Sequence, residues 1–86
     1  MTTFRLTVAS PDGNKFEGEA VQLTVRGTEG ELAILAGHVP FITSVVKAKC
    51  AIHTDENTKL VAFSDGGILC VSKDGVTFIS GSFRFL

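Results

Sequence analysis

No window of the chain approaches the roughly 18 consecutive apolar residues that a membrane-spanning helix needs. The opening, MTTFRLTVAS, has no basic stretch followed by an apolar one, so no secretion signal is expected. Charge of one sign is equally scarce: eight Lys and Arg against nine Asp and Glu leave a net charge of −1. A nearly neutral surface attracts neither nucleic acid nor anionic lipid, so neither is expected as a partner. Cysteine is limited to Cys50 and Cys70, in two apolar, strand-like segments. A metal site needs more ligands at close spacing, and a secreted disulfide framework needs more bridges. Two buried, reduced thiols are therefore expected, and no metal.

Helical periodicity is almost missing, and alternation with period two takes its place. Phe4, Leu6 and Val8 alternate with Arg5, Thr7 and Ala9; Val21, Leu23 and Val25 alternate with Gln22, Thr24 and Arg26. The pattern returns over residues 41–47, 49–54, 59–64, 68–72 and 76–80, rich in Val, Ile, Thr and Phe. Turn chemistry separates these runs: Ser10-Pro11-Asp12-Gly13, Ser64-Asp65-Gly66-Gly67 and Lys73-Asp74-Gly75. About eight to ten short strands with frequent turns describe an all-β sandwich or barrel with no helical domain. At 86 residues the chain is one domain, spanning 1–86, with a thin core.

Two stretches break the alternation. Leu32 to Ala36 and Val45-Val46 are apolar at consecutive positions. Strands so built are expected to bury both faces, between sheets or against something outside the chain. The ending, Phe83-Arg84-Phe85-Leu86, is either docking surface or a last strand folding back.

The chemistry-bearing residues gather in RGTEGELAILAGHVPFI, residues 26–42. Glu29, Glu31 and His38 could act as acid, base and orienter, but no nucleophile motif accompanies them. His53 stands in an ordinary strand pattern between Ile52 and Thr54. Gly27 and Gly30 do not make a phosphate loop, because neither a helix start nor a Lys-Ser/Thr pair follows. Neither catalysis nor a cofactor is expected. Gly27, Gly30, Gly37 and Pro40 instead predict a stiff, shaped loop, which loses little entropy on docking.

Three stretches in order carry a resemblance. RGTEGELAILAGHVP resembles the Thr/Ser-Glu-Gly-Glu/Asp to Gly-His-Ala-Pro segment of the ε subunit of bacterial F-type ATP synthase. VASPDGNKFEGEAVQLTVRG is similar to that family's opening, and AFSDGGILCVSKDGVTFIS to its Ser-Gly-Gly stretch and following strand. Departures are Ala33 for a usual glycine, Ala36 for a proline, Val39 for an alanine and Cys70 for a common glutamate. The ending from Ser80 to Leu86 also differs.

The resemblance implies a flattened β-sandwich in the rotating central stalk, on the cytoplasmic face of the bacterial inner membrane. It implies a non-catalytic, peripheral subunit that couples ion-driven rotation to ATP synthesis. Glu29, Gly30, Glu31, Gly37 and His38 would meet the c ring. Ser10, Phe41, Ile42 and Thr43 would face the γ subunit, with the α/β hexamer an indirect partner. Family members continue into a C-terminal helical hairpin that inhibits hydrolysis and in some binds ATP; neither property is expected of this sequence. A free-standing β-sandwich interaction module is the competing reading.

Overall fold

The computed structural model describes residues 2–86, which hold ten strands and no helix. In chain order these are β1 (Phe4–Ser10), β2 (Gly13–Ala20), β3 (Gln22–Gly27), β4 (Gly30–Leu35) and β5 (Phe41–Val45). They continue with β6 (Ala48–His53), β7 (Lys59–Ser64), β8 (Gly67–Ser72), β9 (Gly75–Ser80) and β10 (Phe83–Phe85). Each strand turns its alternate apolar side chains inward, and every strand supplies at least one residue to a single buried core. Phe78, Leu6, Leu23, Ile34, Ile52 and Leu69 are its largest fully buried members.

Hydrogen bonding links the strands in the order β10-β7-β6-β3-β5-β8-β9-β1-β2, with β4 paired to β3 alone. One residue pair, Gly27 with Val45, joins β3 to β5. The path divides there into two five-stranded layers. The first is β2-β1-β9-β8-β5, antiparallel except for the parallel β1–β9 pair; the second is β4-β3-β6-β7-β10. All-β construction, read from alternation, is what the chain builds.

Three stretches of chain pass from one layer to the other side by side. Residues 41–53 cross at Val46-Lys47, residues 59–72 at Asp65-Gly66, and residues 75–85 at Gly81-Ser82. Strands that bend together in this way make the corner of a sandwich. Two glycines let the backbones close up: a Cβ on Gly66 would lie 2.6 Å from the Val45 carbonyl oxygen, and one on Gly67 only 1.9 Å from that of Ile79.

Several expectations need correction. The Leu32–Ala36 run is not buried on both faces between sheets, the first of the two settings expected for it: Leu32 and Ile34 turn inward while Ala33 and Leu35 are exposed. Likewise Val45 is buried and Val46 exposed. Outward Leu35 and Val46 meet solvent rather than a second layer. β2 carries no clear alternation in GNKFEGEA, because its inward positions are Phe16, Gly18 and Ala20 and a bulge at Val8/Ala9 shifts its register. The C-terminal segment folds back as β10 on β7, with Phe83 buried and Phe85 exposed.

Of the two thiols expected to be reduced and buried, one departs in its burial. Both are free, Cys50 is buried, and Cys70 is only half-buried on the outer side of β8. Burial pushes the Cys50 thiol up to about 11, so it stays protonated at neutral pH. The native protein should therefore release one equivalent in an aromatic disulfide titration at pH 8, and two after denaturation. Two fast equivalents from the native fold would contradict this placement.

Candidate functional site

The β3–β4 hairpin turns through Thr28 and Glu29, with Gly27 paired to Gly30 at its base. Gly30 holds φ at +127°, a conformation that only glycine adopts without strain. Gly27, by contrast, has no positive φ and lies against Leu32, at a contact that a Cβ would bring to 3.1 Å. Glu29 and Glu31 are exposed at this tip. Arg26 is directly opposite Glu31 in the ladder, yet no ion pair forms between them among the described residues. Both glutamates therefore keep solvated carboxylates, available to an outside cation. Thr43 shares a shallow cleft of about 260 Å³ with Glu29, Glu31 and Leu32.

Gly37 and His38 occupy the opposite end of β4. The strand's five residue steps separate the two ends by roughly 17 Å at ~3.3 Å per step. Here Leu35 accepts the backbone N–H of His38 at 3.2 Å, and Gly37 takes φ +81° in the third position of the turn. The His38 ring packs against Phe41 with centroids 5.2 Å apart. This loop lines a separate, mixed-charge groove of about 490 Å³ with Phe4, Arg5, Glu19 and Lys73. So the structure brings His38 to Phe41, and Glu29 and Glu31 to Thr43. It does not gather the glutamates and the histidine at one tip.

The four residues expected to face γ, three on β5 and one on β1, also divide. Ile42 points out, while Phe41 and Thr43 are half-buried toward the core side. Ser10 ends β1, where its hydroxyl donates to Asp12 Oδ1 at 2.6 Å. The Lys15 ammonium at 2.8 Å, and then the Ser10 hydroxyl, hold the Asp12 carboxyl down at about 2. That exposed cluster closes the β1–β2 hairpin.

The outer face of the first layer carries a feature that sequence reading missed. Strand register places Ser44, Ile68, Ile79 and Ala9 in one row, and Ile42, Cys70, Thr77 and Thr7 in the next. Ile42 is 73%, Ile68 49% and Ile79 51% exposed. Each isoleucine sits in an ordinary alternating strand, and only the register brings them onto one patch. The signal available was the two layers' unequal outward composition, since the outward positions of β6 and β7 include Lys49, His53 and Lys59. Among the described residues no cluster of His, Cys, Asp and Glu could hold a metal ion.

Comparison with known proteins adds a family. The profile described as "ATP synthase, Delta/Epsilon chain, beta-sandwich domain" matches residues 3–84. The ATP synthase epsilon chain of Ruminococcus albus is 38% identical over 79 residues, 92% of this chain and 58% of that protein. That of Bacillus licheniformis is 36% identical over 80 residues, 93% of this chain and 60% of that protein. The chain thus spans about three-fifths of the length of these curated relatives.

Among solved structures, a chain of the Euglena gracilis mitochondrial ATP synthase (OSCP/F1/c-ring) superposes with a TM-score of 0.91 at 21% identity. That match covers 99% of this chain and 54% of the other. A chain of the Tetrahymena thermophila mitochondrial ATP synthase central stalk and c ring gives 0.78 at 14% identity, covering 92% and 63%. At these identities the structures share the fold. The profile over nearly the full length and the two bacterial relatives go further: this chain belongs to the ATP synthase delta/epsilon chain family, in its β-sandwich domain.

Proposed function

We propose that this domain is a non-catalytic rotor part of an F-type ATP synthase, seated between the γ subunit and the c ring. The observation that carries it is one two-layered body with two dissimilar docking surfaces: an isoleucine patch on the first layer and a carboxylate-tipped hairpin on the second. The family, and the c-ring and central-stalk assemblies in which its structural neighbours sit, support the choice of partners. The domain performs no chemistry; it passes rotation from the ring to γ, and through γ to the α/β hexamer. A densely packed core between hydrogen-bonded sheets deforms little, which suits a part that must turn without slipping. In such an assembly the domain lies against the membrane on the F1 side, the cytoplasmic side in a bacterium. No described helix is long and apolar enough to cross a membrane.

The ring contact falls to Glu29, Gly30 and Glu31. A carboxylate that meets an arginine across a partly dry interface forms a bidentate pair that fixes orientation, and two exposed, unpaired glutamates suit that contact. Gly37 and His38, a strand length away and packed with Phe41, belong with Ile42 on the γ side. Ser10, Phe41 and Thr43 complete that side at its margins.

The direct experiment mixes the protein with isolated γ and c ring. Co-purification with both is expected. Glu31→Lys should weaken ring retention by about tenfold, the effect of one interfacial charge pair, with γ binding and melting temperature unchanged. Failure of the unaltered protein to bind γ would end this reading.

A further inference from the structure

We propose that Ser64, Ser80 and Asp65 are positioning residues that lock the angle between the two layers, holding the isoleucine patch and the Glu29–Glu31 hairpin in fixed relation during rotation. The inference rests on the rotor reading. It follows from where the two docking surfaces lie. The patch belongs to the first layer and the hairpin to the second, so torque entering at one must cross between layers to leave by the other. Apolar burial between sheets is strong but non-directional, so by itself it favours no single angle between them. Directional bonds do.

The corner supplies them. Ser64 ends β7 in the second layer and Ser80 ends β9 in the first; their hydroxyl oxygens are 2.8 Å apart. Each hydroxyl has one proton, and the distances assign them. The Gly66 N–H donates to Ser64 Oγ at 2.9 Å, Ser64 donates to Ser80 Oγ, and Ser80 donates to the Ser82 carbonyl at 2.7 Å. Asp65 ties the same crossing from outside: its Oδ1 accepts the Ser82 N–H at 2.9 Å, and its own N–H donates to the Ser82 carbonyl at 3.2 Å. A chain of donors and acceptors in a dry setting reinforces itself.

Stability alone does not call for this arrangement. Among the described residues Ser64 and Ser80 are the two buried polar ones in an otherwise apolar interior, each 1% exposed. Replacing both members of a buried hydrogen-bonded pair by apolar groups of similar shape is close to neutral for folding. What the pair adds is direction. It joins strands of different layers where three backbones are already in contact, and where Gly66 leaves no room for a side chain.

The test uses the ATP synthase of the organism that encodes this chain, stripped of its own copy and rebuilt with the protein or a variant. Ser64→Ala/Ser80→Ala removes both hydroxyls and also takes the acceptor from the Gly66 N–H, so its melting temperature is measured alongside; Ser72→Ala, which removes an exposed serine bond within the β8–β9 hairpin, is the control. Proton pumping per ATP hydrolysed is measured with and without an opposing proton gradient.

The double variant should bind γ and ring as the unaltered protein does and pump normally without load. Against the gradient its coupling should fall about fivefold, the factor that one net hydrogen bond carries, while Ser72→Ala stays unaffected. Equal coupling by the double variant and the unaltered protein at every gradient would overturn the proposal and leave the rotor reading standing. If the unaltered protein itself restores no coupling, the rotor reading fails first and takes the corner's role with it.

Discussion

Gly67→Ala should abolish the cooperative fold. The added methyl would sit 1.9 Å from the Ile79 carbonyl oxygen and 2.9 Å from its carbon, so β8 and β9 cannot keep their ladder at the corner. The contact is with backbone, which has no rotamer to retreat into. A domain of this length is stable by roughly 4–13 kcal/mol, and forcing two central strands apart exceeds about 4 kcal/mol. Gly30→Ala is the instructive companion. Nothing lies within 4 Å of its Cβ position, so only the strain of φ +127° is felt, about 1–3 kcal/mol. Thermal melts followed by circular dichroism separate the two: Gly30→Ala melts cooperatively at a lower temperature, and Gly67→Ala shows no cooperative transition. A Gly67→Ala melt within a few degrees of the unaltered protein would contradict the packing described at this corner.

Ile42→Glu combined with Ile68→Glu should weaken γ binding by about 100-fold or more while leaving the fold intact. Both side chains are outward and well exposed, so the folded monomer loses little. In a complex each isoleucine would bury apolar area worth about 1.5–3 kcal/mol, and each glutamate would have to shed its water without a partner. About 2.8 kcal/mol corresponds to the 100-fold loss. Calorimetric titration with purified γ reads it. Retained affinity would move the γ surface off the first layer's outer face, and Phe78→Ala, aimed at the core instead, would show what loss of fold looks like in the same assay.

Much of this architecture was legible because period-two alternation survives wherever one face is buried. Leu6 and Val8, Leu23 and Val25, and Val76 and Phe78 all turned inward as the pattern implied. β2 was opaque for a physical reason. Two of its inward positions are Gly18 and Ala20, which fill space beside Phe16 without announcing themselves, and the bulge breaks the count. The contiguous apolar run at Leu32 misled in the other direction. β4 pairs with β3 alone at the edge of its layer, and its outward Ala33 and Leu35 have no second layer above them.

Proximity along the chain was the weaker guide at the candidate site. Glu31 and His38 are neighbours in sequence, but the extended strand between them carries them apart. The length of the apolar run between the two glycine turns held that information. The corner serines had no comparable signal, since Ser64 and Ser80 resemble any polar residue at a strand end. Only the folding of three crossings onto one another buries them together.

Site-directed cross-linking in the assembled synthase tests the central claim most directly. Glu31→Cys and Ile42→Cys, each in a Cys70→Ser background, are oxidised against cysteines placed in the polar loop of the c ring and along γ. A seat between the two predicts that position 31 joins the ring and position 42 joins γ. Cross-links from neither position, or a swap of the two partners, would contradict it.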